Sequence, residues 1–311
     1  MAKLSISYFD HQTHETTHES EPSTVSSTLL SHAMRQAAET LRQQAPLALS
    51  LTNTVTINFV ANAQLSAGAV AAMVTSASEV EDMFRAGAAQ GMYMNLGTLQ
   101  REYETEYPLA AKVANEYHIP WVLDPVGVGA GAVRTSIVNA LAPNPPTIIR
   151  CNASEAIALA QAWQLEVSQS ATQSAHEHHV GVESHDDVDS AIAAACALAQ
   201  YCHGCVAISG EVDAIVDEQH CYRLHGGSAM MTKVTGAGCS LGGVVASYAC
   251  IAEPTLAALT ASAHYNIASA RAQQYAGGPG SFASAFLDEL YKVTPQDLVQ
   301  EAAISAISVD F

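Results

Sequence analysis

Apolar and polar positions along this chain fall into two alternating patterns. Short apolar runs, LALSLTN (47–53), AAMVTS (71–76), MYMNLGTL (92–99), WVLDPV (121–126) and TIIRCN (147–152), have strand length. Longer segments with helical spacing lie between them: about Thr56 to Ala67, Val80–Ala88, the region around Pro108–His118, RTSIVNAL (134–141) and SEAIALAQAW (154–163). Strands joined by helix-length crossovers are the pattern of βαβ units and a parallel sheet. After a helix over Val188–Tyr201, the runs VAISG, DAIVDE and HCYRLHG follow at gaps too short for helices, which predicts an antiparallel edge. From Gly236 onward the pattern is mostly helical, and no internal repeat interrupts it. The expectation is a single α/β domain over residues 29–311, with a mostly parallel central sheet, an antiparallel edge and flanking helices.

Two stretches break the rhythm. Residues 1–28 are rich in His, Thr, Ser and Glu without periodicity, and read as a disordered arm that can bury little. Residues 167–187 form a His-rich, acidic loop.

Charge removes several function classes. Of 311 residues, 12 are Lys or Arg and 30 are Asp or Glu, a net charge of −18, which disfavours nucleic acid and anionic membrane surfaces. With 49% hydrophobic and 14% charged residues, the chain can still bury a full core. The most apolar stretch, Phe59 to Val74, is broken by Asn62, Gln64 and Gly68, short of the roughly 18 apolar residues of a spanning helix. The N-terminus lacks an apolar signal-peptide core. Seven cysteines, an odd number scattered through apolar segments, suit free thiols and a cytoplasmic protein.

Four motifs carry candidate chemistry of unequal specificity. HETTH (14–18) matches the zincin letters but has no apolar neighbours to support a metal-binding helix. Cys202 and Cys205 form a CxxC near His176, His178, His179 and His185, without the second spaced ligand pair of a zinc finger. Gly127, Gly129 and Ala132 spell G-x-G-x-x-A after a strand, yet the next strand supplies Arg150 where a nicotinamide site needs an acid. The fourth is Lys233-Val-Thr-Gly236-Ala237-Gly238-Cys239, a glycine turn opening a long apolar helix. Its free amides can receive an anion, and one of the chain's four lysines stands beside it.

Asp124 ends WVLDPV, while Arg150 and Glu155 flank the end of the next strand. In a parallel sheet, C-terminal strand ends line one crevice. Taken singly, Asp124 can serve as a helix cap and Glu155 as a partner of a helix dipole. Together with the glycine turn they favour phosphoryl transfer, with Mg²⁺ on the carboxylates and a nucleotide phosphate on Arg150. The helix start and Lys233 are expected to lower the Cys239 thiol pKa.

The blocks LTNTVTINFVANAQLSAGA, NLGTL, VLDPVGVGAG, IIRCNASE, ISGEVD, TKVTGAGC and GPGSF, in this order, resemble the hydroxyethylthiazole kinases of the ribokinase-like superfamily. The resemblance runs from about Leu47 to the C-terminus. It implies ATP- and Mg²⁺-dependent phosphorylation of 4-methyl-5-(2-hydroxyethyl)thiazole by a homotrimer with active sites between subunits. It assigns Met73 and Asn53 to the thiazole pocket, Arg150 and Ser209 to ATP with Lys233 nearby, and Asp124 and Glu155 to the metal. Gly236, Ala237 and Gly238 become the anion hole, which also meets the substrate. Cys239 stands where most of the superfamily carries a catalytic Asp. Three positions depart from the family: Ser209 replaces Thr, Ala71 replaces a Pro before the methionine, and Gly181-Val-Glu183-Ser184 replaces Gly-Val-Asp-Ser.

Overall fold

A computed structural model describes residues 3–4, 22–167 and 187–308. In chain order the elements are α1 (Pro22–Gln44), β1 (Leu47–Leu51), α2 (Ile57–Ala67), β2 (Val70–Met73), α3 (Ala77–Arg85), β3 (Gly91–Asn95), α4 (Tyr103–Glu116), β4 (Trp121–Asp124), α5 (Ala132–Leu141), β5 (Ile148–Asn152) and α6 (Ala153–Ala162). A short helical turn, Val188–Ala191, leads into α7 (Ile192–Cys202), β6 (Cys205–Ser209), β7 (Asp213–Val216) and β8 (His220–His225). A second short turn, Ala229–Lys233, precedes α8 (Ala237–Ala249), α9 (Pro254–Gln273), α10 (Pro279–Lys292), α11 (Pro295–Glu301) and β9 (Ala303–Ser308).

The strands form one nine-stranded sheet in the order β2-β1-β3-β4-β5-β6-β7-β8-β9. Pairing is parallel from β2 through β6 and antiparallel from β6 through β8, as the connection lengths predict, and β9 pairs antiparallel with β8. Successive strand residues point to opposite faces. Ala48, Tyr93, Val122, Ile148 and Cys205 join α1, α2, α8, α9, α10 and α11 in one core. Leu49, Met92, Trp121, Ile149 and Val206 join α3 to α7 in the other. The same period of two then sends Ser50, Asn95, Asp124, Arg150 and Ser209 to the face covered by α8. The sheet therefore collects its polar strand ends beneath the start of one helix.

Two features depart from expectation. The helix α1 begins at Pro22, within the segment expected as a disordered arm, and β9 adds a strand to a C-terminal region expected to be helical. Lys3 and Leu4 also dock on the body. Leu4 pairs with Ala252, its N–H donating to Ile251 O at 3.1 Å and its carbonyl accepting from Glu253 N at 2.8 Å. Lys3 Nζ donates to Ala249 O at 2.7 Å, placing a cation on the last turn of α8, where the helix dipole favours it. The remainder of 1–28 apart from these residues, including HETTH, and most of the His-rich loop with Gly181 to Ser184, lie outside the described residues.

Candidate active site

Gly236 starts α8 from a left-handed conformation, φ +90°, which a glycine adopts without strain. A Cβ here would stand 3.1 Å from Cβ and Cγ2 of Thr56, so the turn lies directly on the β1–α2 loop. The Ala237 amide donates to Val234 O at 3.2 Å and is thereby withdrawn from the expected anion hole. The amides of Gly238 and Cys239 have no backbone partner among the described residues, as the first turn of a helix dictates. The amides of this turn left without a backbone acceptor among the described residues are thus those of Gly236, Gly238 and Cys239.

Arg150 lies against this helix start: a Cβ on Gly238 would be 3.0 Å from its Nη1. Its Nη2 donates to Ser209 Oγ at 2.9 Å, across the β5–β6 register that pairs Asn152 with Ser209. Its Nη1 is 3.6 Å from Asp124 Oδ2. Burial opposes the Arg150 charge, but Asp124 and then Glu155 outweigh it and raise the pKa. A guanidinium and a helix N-terminus, both positive, meet at one point, which favours an anion between them.

Asp124 is fully buried. Its Oδ2 accepts from Tyr93 Oη at 2.9 Å and from Asn95 Nδ2 at 2.9 Å, while Oδ1 has no partner among the described residues. Burial pushes its pKa up to about 6, Arg150 opposing and Glu155 reinforcing the shift. Glu155 is bound differently. Its Oε1 accepts from Gly127 N at 2.9 Å and its Oε2 from Asn152 N at 3.0 Å, closing a capping box with Asn152. It is the helix-cap partner of α6 and a tether for the β4–α5 loop, the structural role left open for it by the sequence.

Asn53 joins β1 to this cluster. Its Nδ2 donates to Asn95 Oδ1 at 2.8 Å and reaches Cys239 Sγ at 3.8 Å. Its Oδ1 accepts from Val55 N and Thr56 N, shaping the loop before α2. Thr52 and Thr56 are buried there; among the described residues the Thr52 hydroxyl has no hydrogen-bond partner, and the Thr56 hydroxyl faces the Cys239 thiol. The Cys239 thiol departs from expectation: burial and Asp124 push its pKa up to about 11, with Arg150, Asn95 and Thr56 opposing. Lys233 plays no part in that shift, and among the described residues its exposed ammonium has no hydrogen bond or ion pair.

Asn53, Asp124, Arg150, Glu155, Ser209 and the turn from Gly236 to Cys239 therefore converge. Met73 ends β2 beside Ser50, half-buried on the same sheet edge but without a bond to the cluster. Tyr93, Asn95 and Thr56 complete the site and are not marked by the sequence: Tyr93 and Asn95 read as strand interior, and Thr56 as the start of a helix. Elsewhere, Cys202 and Cys205 are buried free thiols. Among the described residues, no group of three His, Cys, Asp or Glu side chains could hold a metal.

The hydroxyethylthiazole kinase family model matches residues 38–296. A hydroxyethylthiazole kinase of Bifidobacterium animalis subsp. lactis (strain AD011) is 47% identical over 272 residues, covering 85% of this chain and 88% of that protein. That of Cutibacterium acnes is 39% identical over 286 residues, 91% and 98% of the two chains. The structure of a hydroxyethylthiazole kinase protein from Pyrococcus horikoshii OT3 superposes with a TM-score of 0.76 at 26% identity, covering 88% and 98%. The pyridoxal kinase of Staphylococcus aureus, at 14% identity and a TM-score of 0.54 over 85% of this chain and 99% of that one, shares the fold. With a match across most of its length and a ribokinase-like sheet beneath it, the chain belongs to the hydroxyethylthiazole kinase family.

Proposed function

We propose that this protein transfers the γ-phosphoryl group of ATP to the hydroxyl of 4-methyl-5-(2-hydroxyethyl)thiazole, yielding the thiazole phosphate used in making thiamine. The observation that carries this reading is the meeting of the Arg150 guanidinium with the Gly236–Cys239 helix start. The amides of Gly236, Gly238 and Cys239 receive the charge of the transferred group in a buried setting, where such donors act most strongly. Arg150, held by Ser209 and Asp124, orients the phosphate chain. Asn53, Thr52 and Thr56 line the acceptor side, and Met73 contributes the wall beyond them. Lys233, exposed before the turn, reaches the outer phosphates.

The unpartnered Oδ1 of Asp124 is the observation that fits a divalent cation, since a buried carboxylate oxygen calls for a partner. Carboxylate and water ligands are those Mg²⁺ prefers, and Glu155, its oxygens each accepting one backbone bond, serves through water. Bound with ATP, Mg²⁺ would neutralise phosphate charge. Asp124 then orients the complex, and the Cys239 sulfur beside the acceptor hydroxyl takes its proton in the thiolate form, which its raised pKa keeps scarce at neutral pH.

Exposed Val55, Leu65 and Val70 beside the edge strand β2 support a homotrimer in which a neighbouring subunit completes the thiazole pocket. The free cysteines suit a cytoplasmic enzyme, and among the described residues no helix is long and apolar enough to cross a membrane. The test is a coupled ATP-consumption assay with product identification. Thiazole phosphate is expected with Mg²⁺ present, and its absence at saturating ATP with folded protein would overturn the reading.

A further inference from the structure

Tyr93 is the only aromatic residue of β3, and its ring is fully buried on the face beneath α8. The helix has no side chain where the ring passes: a Cβ on Gly242 would lie 2.2 Å from Tyr93 Cε2 and 3.0 Å from Oη. Strand and helix are therefore matched, one supplying a large ring and the other the space for it. The fit leaves the ring little room to swing and fixes where its hydroxyl ends.

That hydroxyl ends on Asp124. Tyr93 Oη donates to Oδ2 at 2.9 Å and accepts from Asn95 Nδ2 at 2.8 Å, while Asn95 Nδ2 also donates to Oδ2 at 2.9 Å. Arg150 approaches the same oxygen. Among the described residues, the hydrogen bonds of the carboxylate are gathered on one oxygen, and the other is buried and unpartnered. Burial and the neighbouring Asp124 hold the phenol pKa well above its ordinary value, so the group stays a donor.

We infer that Tyr93 is a positioning residue: seated in the space left by Gly242, its hydroxyl holds Asp124 Oδ2 so that Oδ1 is turned to the metal–nucleotide complex. The inference rests on the kinase reading. Outer-shell hydrogen bonds of this kind orient metal-facing carboxylates, and their loss costs about 10- to 100-fold in metal affinity. Without the phenol, Asn95 and Arg150 still hold the carboxylate, but it gains a second orientation and Oδ1 is no longer always presented.

The test compares wild type with Tyr93→Phe and Tyr93→Leu. Mn²⁺ binding in the presence of ADP is followed by electron paramagnetic resonance, alongside kinetics and melting of the ligand-free protein. Tyr93→Phe is expected to weaken Mn²⁺ binding and lower kcat by about tenfold each, with the thiazole KM within about twofold and little change in ligand-free melting. Tyr93→Leu should show the same loss of Mn²⁺ affinity with a larger fall in melting temperature, because it also empties the ring space. A Tyr93→Phe variant that binds Mn²⁺ and turns over like wild type would overturn the inference. So would a loss of affinity confined to Tyr93→Leu, which would make the ring a packing element only. Wild-type protein that binds no Mn²⁺ with ADP would instead defeat the kinase reading on which the inference stands.

Discussion

Asp124 ends β4 and Glu155 lies in the first turn of α6, just after the adjacent strand β5; both are buried, both are matched by family resemblance to the metal, yet their oxygens are bonded in opposite ways. Glu155 gives one oxygen to Gly127 N and the other to Asn152 N, so both of its oxygens hold backbone. Asp124 gathers its contacts on Oδ2 and leaves Oδ1 unused. A carboxylate with both oxygens bonded to backbone is already satisfied by the fold, whereas one with a buried idle oxygen still calls for a partner. The difference teaches that proximity to a site is a poor guide to a residue's part in it; the distribution of bonds between two oxygens is a better one.

The largest expected effect tests the idle oxygen. Asp124→Asn should keep acceptors for Tyr93 and Asn95 yet lower kcat by roughly 10²- to 10³-fold, the scale on which a charged site group acts. Its melting temperature should change little. A variant with near wild-type kcat would end the contrast.

Cys239→Ala should lower kcat by roughly 10- to 10³-fold with substrate KM close to unchanged, and Cys239→Asp should retain activity. A fully active Ala variant would shift the proton-accepting role to the idle oxygen of Asp124, which widens the contrast between the two carboxylates. Glu155→Gln leaves one of the Gly127 and Asn152 N–H groups without its acceptor and should cost about 1–3 kcal/mol of stability, read by urea unfolding. Its kcat should fall about tenfold at most, within the smaller range that second-sphere groups occupy. A loss as large as that of Asp124→Asn would erase the distinction.

The pH profile gives a finer test. The Cys239 pKa is raised from 9.0 to about 11 in the folded protein, so folding favours the thiol. Its contribution to stability is full below pH 9 and is lost as pH rises through about 11. If the sulfur takes the proton, wild-type kcat should climb through that alkaline range, and Cys239→Asp should be flat there.

The smallest effect is far from both carboxylates. Removing residues 1–4 deletes the bonds at the α8–α9 turn and should lower the melting temperature by about 2–4 °C per kcal/mol lost. Turnover should not change, and a change would link that turn to the site.

The parallel half of the sheet is legible in the sequence because each strand is an apolar run with a helical segment behind it. Period-two alternation then brings Asp124, Arg150 and Ser209 to one face. Two elements are not legible for compositional reasons. The first turns of α1 are Ser- and Thr-rich, and β9 reads AISAIS, with small residues that suit either state. Within the site, Tyr93 looks like core because its hydroxyl partner is distant in sequence, and Gly242 looks like another small helix residue. Nothing local reveals that one fits the other. The high thiol pKa of Cys239 is hidden for a similar reason, since the burial that chiefly raises it and the Asp124 charge that adds to it come from elements distant in sequence.

The pairing of β9 with β8 over Ala303–Ser308 has a consequence for synthesis. These residues follow β8 in synthesis, and until they emerge, β8 has an open row of backbone donors and acceptors on one side. Strand β8 emerges about 80 residues earlier, an interval of several seconds at common elongation rates of about 5–20 residues per second. During that interval the nascent chain displays a bare sheet edge able to pair with another copy. Closing it falls to β9, so a chain cut short after α11 would carry every candidate site residue and still present a sheet edge that invites aggregation.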